Sequence, residues 1–153
     1  MASKPNVIII FADDLGYGDL GCYGSKINET PTLDKMADEG KKFSNFYVSS
    51  PVCSPSRASL MTGCYPQRIS FGTFDGLRVL FPGQGIGLSN EEKTVAKTFK
   101  ESGYSTKIIG KWHCGDQEEF LPTNHGFDSY FGIPYSNDMG RQVKIKDYIP
   151  NDS

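Results

Sequence analysis

Apolar and polar positions along the chain form short segments that alternate between strand and helix patterns. The continuous apolar run at residues 6–12, N-V-I-I-I-F-A, predicts a strand buried on both faces of a parallel sheet. Residues 42–48, rich in aromatic side chains, and residues 104–110 predict two further strands. Strands that alternate with helices are typical of an α/β domain with a largely parallel sheet.

Two segments predict helices from their end signals. Residues 30–40 begin with threonine and an early proline, carry apolar residues at helical spacing and end in glycine. A second helix follows a capping box that starts at Ser89, and it ends at Gly103. The glycines and prolines of residues 72–88 predict a long surface loop, and the polar, turn-rich part from Asp116 onward shows no clear closing element.

Composition limits the class of protein. A chain of 153 residues with 37% hydrophobic and 22% charged residues fits one globular domain, residues 1–153. A net charge of −2 without a basic stripe argues against a nucleic-acid partner. The longest apolar run is too short to span a membrane, and the start M-A-S-K-P-N shows no export segment. The compartment stays open, because a mature exported form would look the same.

The segment V-C-S-P-S-R-A-S-L-M-T-G, residues 52–63, places Cys53 at the start of a predicted helix, with Ser54 as its cap and Gly63 as its end. A helix start binds anions, and a thiol there tends to ionise. Arg57 lies one turn further on, within reach of a group that Cys53 holds. The structural alternative is a buried cysteine with an exposed arginine.

The four cysteines of the chain do not form a C-x-x-C pair, which argues against a zinc site or a thioredoxin-like motif. If Cys53 is functional, the three that remain cannot form a complete internal disulfide framework. They are Cys22, Cys64 and Cys114.

Two further groups of polar residues follow predicted strands. Asp13 and Asp14 come where the first strand stops, and Lys111 and His113 come where a later one stops. The carboxyl ends of parallel strands share one edge, so we expect both groups and Cys53 to line one cleft. Strand alternation would direct Lys111 and His113 to the same side.

Each group has a chemical and a structural interpretation. Adjacent carboxylates suit a hard cation such as Ca²⁺ or Mg²⁺, or one of them caps the turn before Gly16. Lys111 and His113 could together bind an anion and deliver a proton. The structural interpretation is an exposed lysine and a histidine packed beside Trp112. His125 is interpreted as structural.

The signature C-S-P-S-R at residues 53–57 resembles that of the type I sulfatases. Cysteine-dependent phosphatases need a longer loop between the cysteine and the arginine than the three residues present here. Three further stretches resemble the sulfatases in order and spacing, most of all their arylsulfatase A branch: residues 6–24, G-K-W-H at 110–113, and H-G-F-D-S-Y-F-G-I-P-Y-S-N-D-M at 125–139. The resemblance implies an alkaline-phosphatase-like α/β/α sandwich with a largely parallel central sheet.

The resemblance also implies a chemistry. A maturation enzyme oxidises the signature cysteine, here Cys53, to formylglycine, an aldehyde that works as its hydrate. One hydroxyl attacks sulfur and expels the alcohol, and the other loses its proton so that the hydrate collapses and releases sulfate. Asp13, Asp14 and the modified Cys53 match ligands of Ca²⁺, with Mg²⁺ as a second choice.

The remaining matches concern the substrate, a small-molecule or carbohydrate sulfate ester. Arg57 matches the arginine that steadies the hydrate, and Lys111 a lysine on the sulfate. His113 matches a histidine near the hydrate and the substrate oxygens. Ser136 matches a serine that contacts substrate. Members of the family are often periplasmic, secreted or lysosomal.

The family pattern continues beyond this sequence, because a second aspartate, an asparagine, another lysine and another histidine of the site find no match after Met139. Residues 1–153 are therefore expected to be the N-terminal part of a sulfatase catalytic domain, with weak metal binding and poor or no turnover on their own. The expected function is sulfuric ester hydrolysis. The alternatives are a phosphate or phosphonate monoester hydrolase of the same fold, and a non-catalytic fragment that binds sulfated glycans.

Overall fold

The computed structural model describes residues 4–139 of the chain. They belong to two compact units, which divide between Tyr47 and Val48. The regular elements are α1 (Pro31–Glu39), α2 (Cys53–Thr62), α3 (Val95–Glu101), β1 (Lys107–Lys111) and β2 (Ser129–Ile133). Short 3-10 helices occur at Tyr17–Asp19, Gly21–Tyr23, Pro66–Ile69, Glu118–Phe120, Pro122–His125 and Asn137–Met139. None of the helices in this part of the chain is long and apolar enough to cross a membrane.

The N-terminal unit is organised around α1, whose prediction is confirmed. Thr30 lies at the start of the helix, and its Oγ1 donates to Asp34 Oδ1 at 2.9 Å. The backbone N–H of Gly21 donates to Thr30 Oγ1 at 2.8 Å, and that of Cys22 donates to Asp34 Oδ1 at 2.6 Å. Polar groups of the first helical turn therefore fix the preceding loop.

Two predicted strands are wrong. Residues 6–12 and 42–48 have no regular secondary structure, and Ile8 is 84% exposed. Tyr17 Oη instead holds the second segment, because it donates to the carbonyl oxygen of Phe46 at 2.6 Å and accepts from its N–H at 2.8 Å. A strand needs a neighbouring strand for its backbone hydrogen bonds, and residues 4–47 contain none.

The C-terminal unit contains the hydrophobic core. Its buried members come from α2, from the loop after it, and from the segments that follow β1 and β2. They are Ala58, Ile69, Phe71, Phe74, Leu80, Leu88, Trp112, Cys114 and Tyr135. The prediction of a surface loop at residues 72–88 is correct in that no helix or strand forms there, but wrong about burial, since this loop supplies Phe74, Leu80 and Leu88 to the core.

The helix α3 begins later than its capping signal predicts. Thr94 is the cap, and its Oγ1 accepts a hydrogen bond from the N–H of Lys97 at 3.1 Å. Ser89 lies in a separate turn, where its carbonyl oxygen accepts from the N–H of Glu92 at 3.1 Å. Thr94 Oγ1 also donates to the carbonyl oxygen of His125 at 2.5 Å, so the chosen cap is the one that a distant segment stabilises.

The strands β1 and β2 pair in parallel, with Lys107 opposite Ser129 and Lys111 opposite Ile133. The prediction of β1 is confirmed, whereas β2 was missed in the polar C-terminal part. Gly110 lies opposite Gly132, and a Cβ at Gly132 would overlap the carbonyl oxygen of Gly110. The parallel pairing agrees with the expected α/β class.

His125 is part of the packed interior, as its structural interpretation proposed. It is fully buried, and its ring lies 5.6 Å from that of Trp112. Within the described residues neither ring nitrogen has a hydrogen-bond partner. Burial, helped by the nearby positive charge of Lys97, lowers the pKa of His125 to about 4.

Replacement of Gly132 by alanine should disrupt the pairing of β1 with β2. The added methyl group overlaps the Gly110 backbone, and we expect a loss of about 1–3 kcal/mol in unfolding free energy. Urea unfolding followed by Trp112 fluorescence measures it. The control is Ser129→Ala on the same strand, where the side chain is exposed and the loss should stay below about 0.5 kcal/mol. Equal stability of the two variants would contradict the steric argument.

Acid should destabilise the C-terminal unit through His125. Because the pKa of this residue is about 4 in the folded chain and 6.5 ordinarily, the unfolded chain binds the proton first. The unfolding free energy should fall as the pH drops from 6.5 towards 4, by up to about 1.4 kcal/mol per pH unit. Urea titrations across this range should show a smaller slope in His125→Gln than in the wild type, and equal slopes would refute the assignment.

Candidate active site

The start of α2 lies where the sequence places it, but with a different cap. The helix begins at Cys53, and Val52 is the capping residue, with an extended backbone and no side-chain cap bond. The prediction of Ser54 as cap is wrong. Its Oγ is fully buried and accepts from the N–H of Leu80 at 3.0 Å. The helix ends at Gly63, as predicted, in the left-handed conformation at φ 70° that glycine adopts without strain.

The thiols of Cys53 and Cys114 have different environments. Cys53 is half-buried in the first turn of α2, where unpaired N–H groups and the helix dipole favour an anion. Cys114 is fully buried, and burial raises the pKa of its thiol far above the ordinary value, an effect that the charge of Arg57 offsets only in part. Accessibility therefore favours Cys53 over Cys114 as a cysteine that can be modified.

Arg57 connects the cysteine helix to the end of β1. It lies one turn after Cys53 and is only 9% exposed, so the alternative of an exposed arginine is wrong. Its Nη1 donates to the carbonyl oxygen of Lys111 at 2.9 Å. This contact brings together the C-S-P-S-R and K-W-H motifs, which are far apart in sequence.

The K-W-H segment leaves the strand before it reaches His113. β1 ends at Lys111, and His113 has a φ of 61°, in the left-handed region that costs a non-glycine residue energy. The use of strand alternation to place Lys111 and His113 on one side is therefore wrong. The strained backbone of His113 is held by its N–H, which donates to the carbonyl oxygen of Pro134 at 2.7 Å.

The imidazole of His113 is enclosed. It is fully buried, its Nε2 lies 2.9 Å from the carbonyl oxygen of Leu80, and its ring centroid lies 5.0 Å from that of Tyr135. The sequence analysis missed both Leu80 and Tyr135. Leu80 contacts the site through its backbone, which any residue has, so the sequence carried no signal for it.

Ser136 follows β2 and is half-buried. Its hydroxyl donates to the carboxylate of Asp138, and its carbonyl oxygen accepts from the N–H of Met139 at 3.0 Å. These bonds fix the turn that contains it. The expected contact of Ser136 with substrate stays a prediction.

Asp13 and Asp14 belong to the N-terminal unit and are exposed. Asp14 has a φ of 55°. In extended backbone the side chains of Asp13 and Asp14 would point to opposite faces. The left-handed conformation of Asp14 means that this alternation does not apply to the pair. Across residues 4–139 no group of three or more His, Cys, Asp or Glu side chains forms a metal-ligand set. Two carboxylates fit Ca²⁺ or Mg²⁺ in kind, but they supply only part of the about six to eight oxygens that Ca²⁺ takes.

The C-terminal unit thus joins two of the three expected groups. A helix start and the guanidinium of Arg57 give this region a positive character suited to a tetrahedral oxyanion. The buried imidazole of His113 adds a group able to exchange a proton. That Asp13 and Asp14 join the same cleft stays a prediction.

Known proteins with similar sequences and structures share one family. The family model "Sulfatase" matches residues 5–152. Human arylsulfatase A is 50% identical over 142 residues, which cover 92% of this chain and 27% of that protein. N-acetylgalactosamine-6-sulfatase of Rattus norvegicus is 44% identical over 149 residues, which cover 95% of this chain and 28% of that protein.

A solved structure agrees with the sequence comparisons. The crystal structure of Ps i-CgsB in complex with k-i-k-neocarrahexaose superposes with a TM-score of 0.81 at 42% identity, over 88% of this chain and 29% of that one. The expected α/β, alkaline-phosphatase-like fold class is thereby confirmed. This chain spans little more than a quarter of the length of the curated relatives named here. A family match over nearly all of its residues nevertheless shows that the chain belongs to the sulfatase family.

Proposed function

We propose that this chain carries the N-terminal part of the active site of an arylsulfatase-like sulfuric ester hydrolase. The observation that carries the proposal is the hydrogen bond from Arg57 to the Lys111 carbonyl oxygen, which joins the cysteine helix to the K-W-H segment. Family membership and the names of the relatives support the same reaction class.

Cys53 is the residue that becomes the nucleophile in this proposal. It lies in the first turn of α2, half-buried, within the C-S-P-S-R signature. Once oxidised by a formylglycine-generating enzyme, it supplies a hydrated aldehyde for covalent catalysis, which allows sulfate to leave without hydrolysis of a stable ester. The buried Cys114 is excluded from this role by its lack of exposure.

Arg57 and Lys111 supply the positive charge. The Arg57 guanidinium is anchored at Nη1 and lies one helical turn from Cys53, so it stabilises negative charge on the group at that position. The Lys111 ammonium neutralises the charge of a bound sulfate. Preorganised charges in a partly buried site lower the energy of a transition state that spreads negative charge over several oxygens.

His113 and Ser136 complete the contacts expected of this chain. His113 is held in a strained backbone conformation and a closed ring environment, which fixes the orientation of its imidazole. It is assigned a contact with the hydrate and the substrate oxygens. Ser136, in the turn after β2, is assigned a hydrogen bond to a substrate oxygen.

Asp13 and Asp14 are proposed to bind Ca²⁺, or Mg²⁺ in its place, together with the modified Cys53. When bound, the cation polarises sulfate oxygens and favours ionisation of the nucleophile. Because two carboxylates fill only part of a calcium coordination shell, the 153 residues alone should bind the ion weakly.

The proposed substrates are sulfate monoesters of small molecules or carbohydrates. One relative is named for a 6-sulfated N-acetylgalactosamine, and the similar solved structure contains an oligosaccharide. These names support a sulfated sugar as the natural class.

Maturation of Cys53 is the first test. The 153-residue chain, produced together with a formylglycine-generating enzyme, should yield a tryptic peptide of residues 43–57 with an aldehyde mass that reacts with a hydrazide. Cys53→Ala should abolish the signal, and the matched control Cys64→Ala, which removes another half-buried thiol, should keep it. An unmodified thiol under these conditions would contradict the assignment.

Paired rates on an aryl sulfate and an aryl phosphate test the reaction class. The matured chain should turn over slowly and prefer the sulfate, and Cys53→Ala should fall to the uncatalysed background. Faster phosphate release would favour the phosphate or phosphonate hydrolase. Binding of a sulfated glycan without cleavage would favour the non-catalytic alternative, and rapid sulfate release would contradict the expected need for further ligands.

A further inference from the structure

The backbone of Leu80 connects two residues of the candidate site. Its N–H donates to Ser54 Oγ at 3.0 Å, and its carbonyl oxygen lies 2.9 Å from His113 Nε2. The side chain of Leu80 is fully buried in the core, which fixes the position of both backbone groups. Leu80 lies outside any helix or strand, yet its N–H, its carbonyl oxygen and its side chain are each held by a contact.

The contact with Leu80 determines which nitrogen of His113 carries a proton. A carbonyl oxygen only accepts hydrogen bonds, so Nε2 must be the donor. A neutral imidazole has one N–H, and the other nitrogen then has the lone pair. In the neutral state Nδ1 is accordingly the basic atom of His113.

Ser54 is the side chain that holds this arrangement from the cysteine helix. It is fully buried, and its hydroxyl oxygen accepts from a backbone N–H that belongs to a different segment. Without that oxygen, the buried N–H of Leu80 would lack its acceptor. An unsatisfied buried donor lowers stability by more than the net contribution of one hydrogen bond. The backbone of Leu80 would have to move to find another acceptor, and its carbonyl oxygen would move with it.

We propose that Ser54 is a positioning residue that acts through the backbone of Leu80 to hold His113 in the Nε2–H tautomer, with Nδ1 as its proton-accepting atom. The inference rests on the proposed function only for the role of His113 in the reaction. It gives the residue between Cys53 and Pro55 in the C-S-P-S-R signature a task separate from that of the nucleophile.

The tautomer is measurable without activity. The chain has two histidines, so long-range ¹H–¹⁵N NMR of ¹⁵N-histidine-labelled protein at neutral pH, with His125→Gln for assignment, identifies both rings. The wild type should show His113 protonated at Nε2. Ser54→Ala should give a mixture of tautomers, and Ser54→Thr, which keeps the hydroxyl, should restore the wild-type spectrum.

The matched control is Ser59→Ala on the same helix. Ser59 is also buried, and among the described residues its hydroxyl has no hydrogen-bond partner. Its replacement should leave the His113 spectrum unchanged. A wild-type His113 protonated at Nδ1 would overturn the proposal without any variant, as would a Ser54→Ala spectrum identical to that of the wild type.

Hydrogen exchange at the Leu80 amide tests the connecting step. Loss of the Ser54 acceptor should speed this exchange roughly five- to tenfold, the factor expected for one hydrogen bond, while Ser54→Thr and Ser59→Ala remain at the wild-type rate. If exchange is unchanged in Ser54→Ala, the proposal is wrong. Faster release of phosphate than of sulfate by the matured chain, with these results intact, would instead refute the proposed function alone.

Discussion

The hydrogen bond between the Arg57 guanidinium and the Lys111 carbonyl oxygen is the constraint around which the candidate site is arranged. It crosses from α2 to the end of β1 at 2.9 Å, in surroundings that leave Arg57 only 9% exposed. A buried cation needs hydrogen-bond acceptors, so separating the helix from the strand would remove one acceptor of this charge. The same bond that stabilises the unit therefore brings the thiol of Cys53 and the residues after β1 into one region.

Chemically identical side chains have different surroundings in this structure. Cys53 is half-buried at a helix start and available for modification, whereas Cys114 is enclosed in the core with a raised pKa. Of the two histidines, His125 stacks on Trp112 with a lowered pKa, and His113 is oriented by the Leu80 carbonyl oxygen. In both pairs the surroundings, rather than the chemistry of the side chain, make the difference.

The errors of the sequence analysis share a physical origin. Residues 6–12 and 42–48 have strand composition, but strands form only with backbone partners, and the described part of the N-terminal unit offers none. The helix α3 is capped by Thr94 rather than Ser89 because Thr94 also donates to the carbonyl oxygen of His125. The strand β2 was missed because it is a five-residue segment in a polar, turn-rich region, and four of its five residues are exposed.

The sequence by itself determined the family and the α/β class, and it predicted which residues carry the chemistry. Signatures such as C-S-P-S-R are local, and helix ends at Pro31 and Gly63 depend on nearby residues. Only the tertiary structure decided that Arg57 is buried against Lys111, that His113 has a left-handed backbone, and that Ser54 holds a loop instead of capping its helix. Those contacts involve backbone groups that are distant in sequence. Because nearly every residue type has the same backbone groups, no residue pattern predicts such contacts.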